Sequence, residues 1–196
     1  MAKEIEHGGW HDEAEDEEIL REAQANFKSP KPYFANDLIE QYEFFRKNIY
    51  NPKRVFYPCC NLDISPIRGF PDSEVVLMDK EESLKEIMEN AGIRQFILGD
   101  VLLYVPEKPF DLVIALNPAL TSKDLTKHLS NGGYVLANNW HNNASQLLED
   151  SGFEGIGTIY RNKKGIYLGK GDFSKLEPIQ FETYLYVFRK LEEVEK

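Results

Sequence analysis

The stretch Arg54–Asp79, RVFYPCCNLDISPIRGFPDSEVVLMD, decides the fold. Two short apolar runs in it, Val55–Tyr57 and Val75–Met78, predict buried strands. The first ends in a tight polar turn, Pro58–Ser65, and the second ends in a lone carboxylate, Asp79. In an open parallel sheet, ligands bind outside the carboxyl ends of the strands, where the strand order reverses. A turn and an acid at the ends of the first two strands are what a nucleoside site requires.

Downstream, the same alternation of short apolar strands and helices repeats. Glu81–Ala91 reads as a helix burying Leu84, Ile87 and Met88, with Gly92 as its terminator. Phe96–Leu98 is a strand ending at Gly99-Asp100, and Val101–Val105 is a loop or a helical turn before Pro106. Phe110–Leu116 is a continuous apolar strand that ends at Asn117-Pro118. Thr121–Leu129 is expected to be helical, Asn131-Gly132-Gly133 to turn, Tyr134–Ala137 to be a strand and Asn142–Ser151 a helix. Such an alternation implies right-handed crossovers and a doubly wound, mostly parallel sheet. The ending departs from it. Thr158–Tyr160, Ile166–Leu168 and Phe181–Arg189 are strand-like with no helix between them, and their period of two predicts antiparallel pairing at the sheet edge.

Upstream, Leu38, Ile39, Tyr42, Phe45 and Ile49 form one apolar helical face, with Asn36 as the expected cap and Asn51-Pro52 as the stop. Residues 1–35 are expected to be an acidic extension, partly disordered or helical, because Asp12–Glu18 is a run of like charges. A helix is plausible over Glu18–Phe27. Residues 36–196 then form a single Rossmann-like α/β domain.

Composition narrows the function classes. A chain of 196 residues with 42% hydrophobic and 29% charged residues can bury one substantial core. The net charge of −10 weighs against tight nucleic-acid binding, which needs clustered Lys and Arg. No apolar run reaches the roughly 20 residues of a membrane span. Cys59 and Cys60 are the only cysteines and are adjacent, which gives no disulfide framework and fits a reducing cytoplasm. Their spacing also lacks the C-x-x-C of redox chemistry, so small packing residues are the simpler reading. No P-loop, G-x-S-x-G or zinc-site spacing is present.

The order of elements resembles that of the class I S-adenosylmethionine-dependent methyltransferases, over roughly Asp37–Lys190. Four positions carry the resemblance: Asp79 after the second strand, Gly99-Asp100 after the third, Asn117-Pro118 after the fourth, and Leu129–Tyr134 (LSNGGY) leading into the fifth. The resemblance implies S-adenosylmethionine as cofactor and a small-molecule or protein group as methyl acceptor. It implies that Asp79 binds the ribose hydroxyls and that Asp100 lies near the adenine amino group. The turn of Tyr57, Pro58, Asn61 and Asp63 would hold the methionine end. Asn117 and His141, the latter as general base, would face the acceptor, with Trp140 stacking on it.

One departure from the family stands out. Its glycine-rich first loop reads Pro58-Cys59-Cys60-Asn61-Leu62-Asp63 here, with no glycine. Asn61, which tolerates the left-handed conformation, is expected to replace one glycine. Plain structural roles stand beside each assignment: Asp79 as a helix cap, Asp100 and Asn117-Pro118 as turns, and Asn138–Asn143 as a capped loop. The rival function is a binding module that kept the fold and lost the cofactor. A third reading is a different nucleoside ligand in the same crevice.

Overall fold

The computed structural model describes residues 30–116, 118–162, 165–173, 176 and 184–192. Pro32–Lys196 forms one compact unit and carries every element below. The expected acidic extension and the helix over Glu18–Phe27 lie outside the described residues.

Helix α1 (Asn36–Asn48) buries Leu38, Gln41, Tyr42 and Phe45 along one face. Leu38, Tyr42 and Phe45 are fully buried, and each contributes about 1.5–3 kcal/mol of apolar burial. The cap differs from expectation: Ala35 holds the N-cap position without a side-chain bond, and Asn36 is the first helical residue. Strand β1 (Arg54–Pro58) leads into the short helix α2 (Ser65–Gly69), with Pro66 in its first turn where its missing N–H costs nothing. At the end of α2, Gly69 meets α1 closely; a Cβ there would stand 2.5 Å from Tyr42 Cβ. Strand β2 (Glu74–Asp79), helix α3 (Ser83–Asn90) and strand β3 (Phe96–Leu98) follow. Gly92, at φ +74°, stops the chain after α3 as expected.

Strand β4 (Phe110–Ala115) comes next, then α4 (Ser122–Thr126), β5 (Leu129–Ala137), α5 (Asn143–Glu149), β6 (Phe153–Asn162), β7 (Gly165–Lys170) and β8 (Tyr184–Lys190). Helix α4 begins with a capping box between Thr121 and Asp124 but is shorter than the expected 121–129. The reason lies at its end: Leu129 pairs with Phe110 of β4, so the chain has already become strand there. Asn131–Gly133, expected as a turn, lies within β5, where the β4–β5 register shifts.

The eight strands form one sheet in the order β3-β2-β1-β4-β5-β8-β6-β7. Strands β1 to β5 pair in parallel, and β8 is antiparallel to both β5 and β6. The sequence places the final strand at the sheet edge, but β8 is interior and β7 is the edge. Both faces of β8 are apolar and buried, Leu185 and Val187 on one side and Tyr186 and Phe188 on the other. Only a strand with neighbours on either side and helices or loops above and below can satisfy that pattern.

Each face of the sheet has its own core. Tyr57, Leu77, Leu112, Ile114 and Val187 pack with α1, Phe70 and Met88 on one side. Phe56, Val113, Ala115, Val135 and Phe188 pack with Leu125, Ala144 and Leu147 of α4 and α5 on the other. The strand order reverses between β1 and β4, which puts the crevice outside their carboxyl ends. Among the described residues no helix is long and apolar enough to cross a membrane.

Candidate functional site

The turn after β1 reaches its shape without glycine. Cys59 and Asn61 both take left-handed conformations, at φ 53° and 49°. Asn tolerates this region well, whereas for Cys it is uncommon, and strain of this kind is held only where neighbours over-determine it. Neighbours do so here. The Cys60 N–H donates to the Met78 carbonyl (3.2 Å), and the Asn61 N–H donates to Asp79 Oδ2 (2.9 Å). The turn is thereby fastened to the end of β2.

Its other end is held by a buried carboxyl. Asp63 is 2% exposed; its Oδ1 accepts from the Ser65 N–H (2.8 Å) and from Ser65 Oγ, and its Oδ2 accepts from Tyr57 Oη (3.2 Å). Burial pushes the Asp63 pKa up, and the bonds from Ser65 and Tyr57 partly oppose this. Ser65 Oγ also accepts from the Ala35 N–H (2.7 Å). Tyr33 exchanges backbone bonds with Leu62 and Ile64, so residues 33–35 lie along the turn like a short parallel strand. Tyr57 and Asp63 thus face each other inside the fold, and Asn61 is the exposed residue of the turn.

Burial pushes the Cys59 thiol up to about 11, with the Asp79 charge adding to the effect, and it pushes Cys60 up as well. Neither is a thiolate near neutral pH.

Asp79 is half-buried at the carboxyl end of β2. Its Oδ1 accepts from the Glu81 N–H (3.1 Å) while Oδ2 holds Asn61. A carboxylate offers about four lone-pair sites, so each oxygen keeps one for a ligand. Asp100 is exposed, and its Oδ1 accepts from the Leu102 N–H (2.9 Å), closing a turn after β3. The two acids share a pocket of about 180 Å³ whose lining includes Cys59, Met78, Lys80, Val101 and Leu120. The pocket therefore joins the ends of β1, β2 and β3 to the segment after β4. Met78, Lys80, Val101 and Leu120 were not singled out from the sequence. Their only signal was adjacency to strand ends, which marks a place and not a role.

The rim beyond β4 is less assembled. Asn117 lies outside the described residues. The Pro118 carbonyl accepts from Asn143 Nδ2 (2.8 Å), which ties the segment after β4 to the start of α5. Asn139 Oδ1 accepts from Ser145 N–H (3.0 Å) and Oγ (3.1 Å), and Asn138 Oδ1 accepts from the Trp140 N–H (3.2 Å). Asn138, Asn139 and Asn143 are buried and brace the loop. Asn142 turns it with a left-handed φ of 59°. Trp140 and His141 point outward, with ring centroids 5.9 Å apart edge to face. Neither lines the pocket that holds Asp79 and Asp100.

No protein-family model matches the sequence, and no curated protein matches it. Solved structures do resemble the fold. The N-methyltransferase NodS from Bradyrhizobium japonicum WM9, in complex with S-adenosyl-L-homocysteine, superposes with a TM-score of 0.55 at 12% identity. The match covers 84% of this chain and 90% of that one. The chain has the class I methyltransferase fold. The O-methyltransferase from Bacillus cereus with S-adenosylhomocysteine gives 0.56 at 12% identity, covering 92% and 91% of the two chains. The O-methyltransferase TomG from Streptomyces achromogenes with S-adenosylmethionine gives 0.54 at 16%, covering 93% and 91%.

Proposed function

We propose that this chain is an S-adenosylmethionine-dependent methyltransferase acting on a small molecule or on a group of a protein. The observation that carries the reading is the pocket at the ends of β1 to β4, which brings Asp79 and Asp100 together with apolar walls. Its chemistry suits an adenosine. Two carboxylates accept from hydroxyl and amino groups, and Met78, Val101 and Leu120 offer apolar surface for a flat base. Structural neighbours crystallised with S-adenosylhomocysteine or S-adenosylmethionine support the same cofactor.

On this reading Asp79 takes the ribose hydroxyls and Asp100 lies near the adenine amino group. Asn61 and Pro58 present the backbone of the β1 turn to the methionine end. Tyr57 and Asp63 hold that turn in shape from inside, since both are buried and bonded to each other. When bound, the cofactor supplies an electrophilic methyl on a sulfonium. The protein's part is then to align an acceptor and keep water out, and alignment alone is a large share of such catalysis. Asn117 and His141 are assigned to the acceptor side, His141 to take a proton from the acceptor and Trp140 to cover it.

Calorimetric titration with S-adenosylmethionine and S-adenosylhomocysteine tests the assignment. Micromolar binding of both is expected, followed by transfer of a labelled methyl group in an acceptor screen. No heat at millimolar ligand would mean that the glycine-free turn has closed the site, and the cofactor assignment would fall.

A further inference from the structure

One edge of the sheet is open and apolar. Strand β3 stands at the end of the strand order and pairs only with β2. Its bonds to β2 fix which of its backbone groups are left over. The Leu77 N–H donates to the Gln95 carbonyl (2.9 Å) and the Gly99 N–H donates to the Asp79 carbonyl (2.8 Å), so residues 95, 97 and 99 are the ones turned toward β2. Backbone groups alternate in direction along a strand, and those of Phe96 and Leu98 therefore face away from the sheet. Among the described residues nothing pairs with them.

The side chains mark the same place. Ile97, Leu98 and Leu102 are exposed, and Leu103 and Val105 are 80% and 86% exposed. Five of the nine exposed large apolar side chains among the described residues thus fall between positions 97 and 105. Single exposed apolar residues are ordinary, but a run of them beside an open edge marks a contact surface. Open edges are usually kept unpaired by charges, prolines or bulges. Strand β3 is short but has none of these, whereas β7 at the opposite edge ends in Lys170 and carries Gly165 and Gly169.

We propose that β3 is the seam of a two-fold dimer, pairing antiparallel with β3 of a second copy about Ile97. A two-fold at Ile97 is the register that uses all the outward groups: Phe96 of each copy exchanges both backbone bonds with Leu98 of the other. The two Ile97 residues then form the non-hydrogen-bonded pair, where opposed side chains stand closest. The same register sets Arg94 of each copy opposite Asp100 of the other. Arg94 is exposed and makes no ion pair among the described residues. Asp100 is exposed as well, and its own turn uses only Oδ1. A two-fold moved one residue to either side would set Arg94 against Leu98 or Asp100 against Phe96, and both ion pairs would be lost. Backbone, apolar pair and charge are thus all complementary to themselves, which is what a two-fold contact between identical chains requires and an unrelated strand does not supply. The dimer stands apart from the cofactor assignment, because a carboxylate accepts at about four sites and Asp100 keeps positions for a ligand.

Sedimentation velocity on the full chain, from low micromolar to about 0.5 mM, tests the proposal. A concentration-dependent dimer in rapid exchange is expected, since so short a seam falls below the roughly 800 Å² per partner of a standard interface. Leu98→Pro removes an outward N–H and leaves the β2–β3 bonds in place, so it should be monomeric throughout. Arg94→Asp and Asp100→Arg should each weaken the dimer about tenfold or more by opposing like charges at two places, and the double variant should return to within about threefold of wild type. A wild-type monomer at the highest concentration would overturn the proposal. So would a dimer that survives Leu98→Pro in a protein well folded by circular dichroism. Should Leu98→Pro not fold, the charge exchange decides alone, and a double variant no better than either single one would sink the seam.

Discussion

Replacing Asp79 by Ala separates the ligand role of this carboxylate from its structural one. In the folded chain Asp79 accepts the Asn61 and Glu81 N–H groups, both at a half-exposed site. Losing two such bonds costs about 1–2 kcal/mol in total, the lower part of the range for ordinary hydrogen bonds, because water can replace them at this half-exposed site. For a unit of this size that lowers Tm by roughly 2–8 °C. The ligand effect is larger. Ribose hydroxyls donating to a carboxylate contribute about 1.5–3 kcal/mol, so the Kd for S-adenosylhomocysteine should rise about 10- to 150-fold. Loosening of the Asn61 turn adds to the loss. Calorimetric titration reads the affinity, and a thermal melt of the same sample reads the stability. Asp79→Asn should fall between wild type and Asp79→Ala, because the amide keeps one acceptor and turns a donor toward one backbone N–H. An Asp79→Ala protein that melts a few degrees lower yet binds within twofold of wild type would refute the reasoning and reduce Asp79 to a cap.

Three other outcomes follow from particular contacts. Cys59 should alkylate slowly with iodoacetamide at neutral pH and faster as pH rises toward about 11, since burial suppresses its thiolate; rapid labelling at pH 7 would contradict this. His128 is buried between Phe56 (5.1 Å) and Tyr104 (6.0 Å), and burial holds its pKa below 6.5. The unfolded chain then binds the extra proton, so His128's contribution is fully present above pH 6.5. It is lost as pH falls toward the folded pKa, at up to about 1.36 kcal/mol per unit; in urea melts, His128→Phe should flatten that dependence. Gly69→Ala should destabilise by about 1–3 kcal/mol in chemical denaturation, because its Cβ would collide with Tyr42 at the α1–α2 contact.

Much of the architecture was legible because burial on both faces leaves a continuous apolar run. Val55–Tyr57, Val75–Met78 and Phe110–Leu116 all mark strands that the structure contains. The place of β8 was not legible, since alternation of Leu185, Tyr186, Val187 and Phe188 specifies a period but not which strands will flank it. The end of α4 was not legible either. Leu129 fits a helical face as well as a strand, and only its pairing with Phe110 decides between them. At the site, the two acids could be placed from strand ends alone. The expectation that Asn61 would take the left-handed conformation agrees with its φ of 49°, but the same conformation at Cys59 carries no sequence signal. The cross-strand alignment of Tyr160 in β6 with Tyr167 of β7 and Tyr184 of β8 depends wholly on register, which short motifs do not encode.

The position of β8 has a consequence for how the chain acquires its structure. Tyr134 of β5 finds its partner in Arg189, and β6 has no bond to β5 except through the strand between them. Until residues 184–190 arrive, β5 and β6 present two open edges that face each other across a gap, each able to recruit a foreign strand. Closure must wait for the last strand in the sequence to pair on both of its sides. Assembly is therefore expected to be slow relative to a helical domain of equal size, with a partly zipped intermediate most exposed to aggregation just before the last strand inserts.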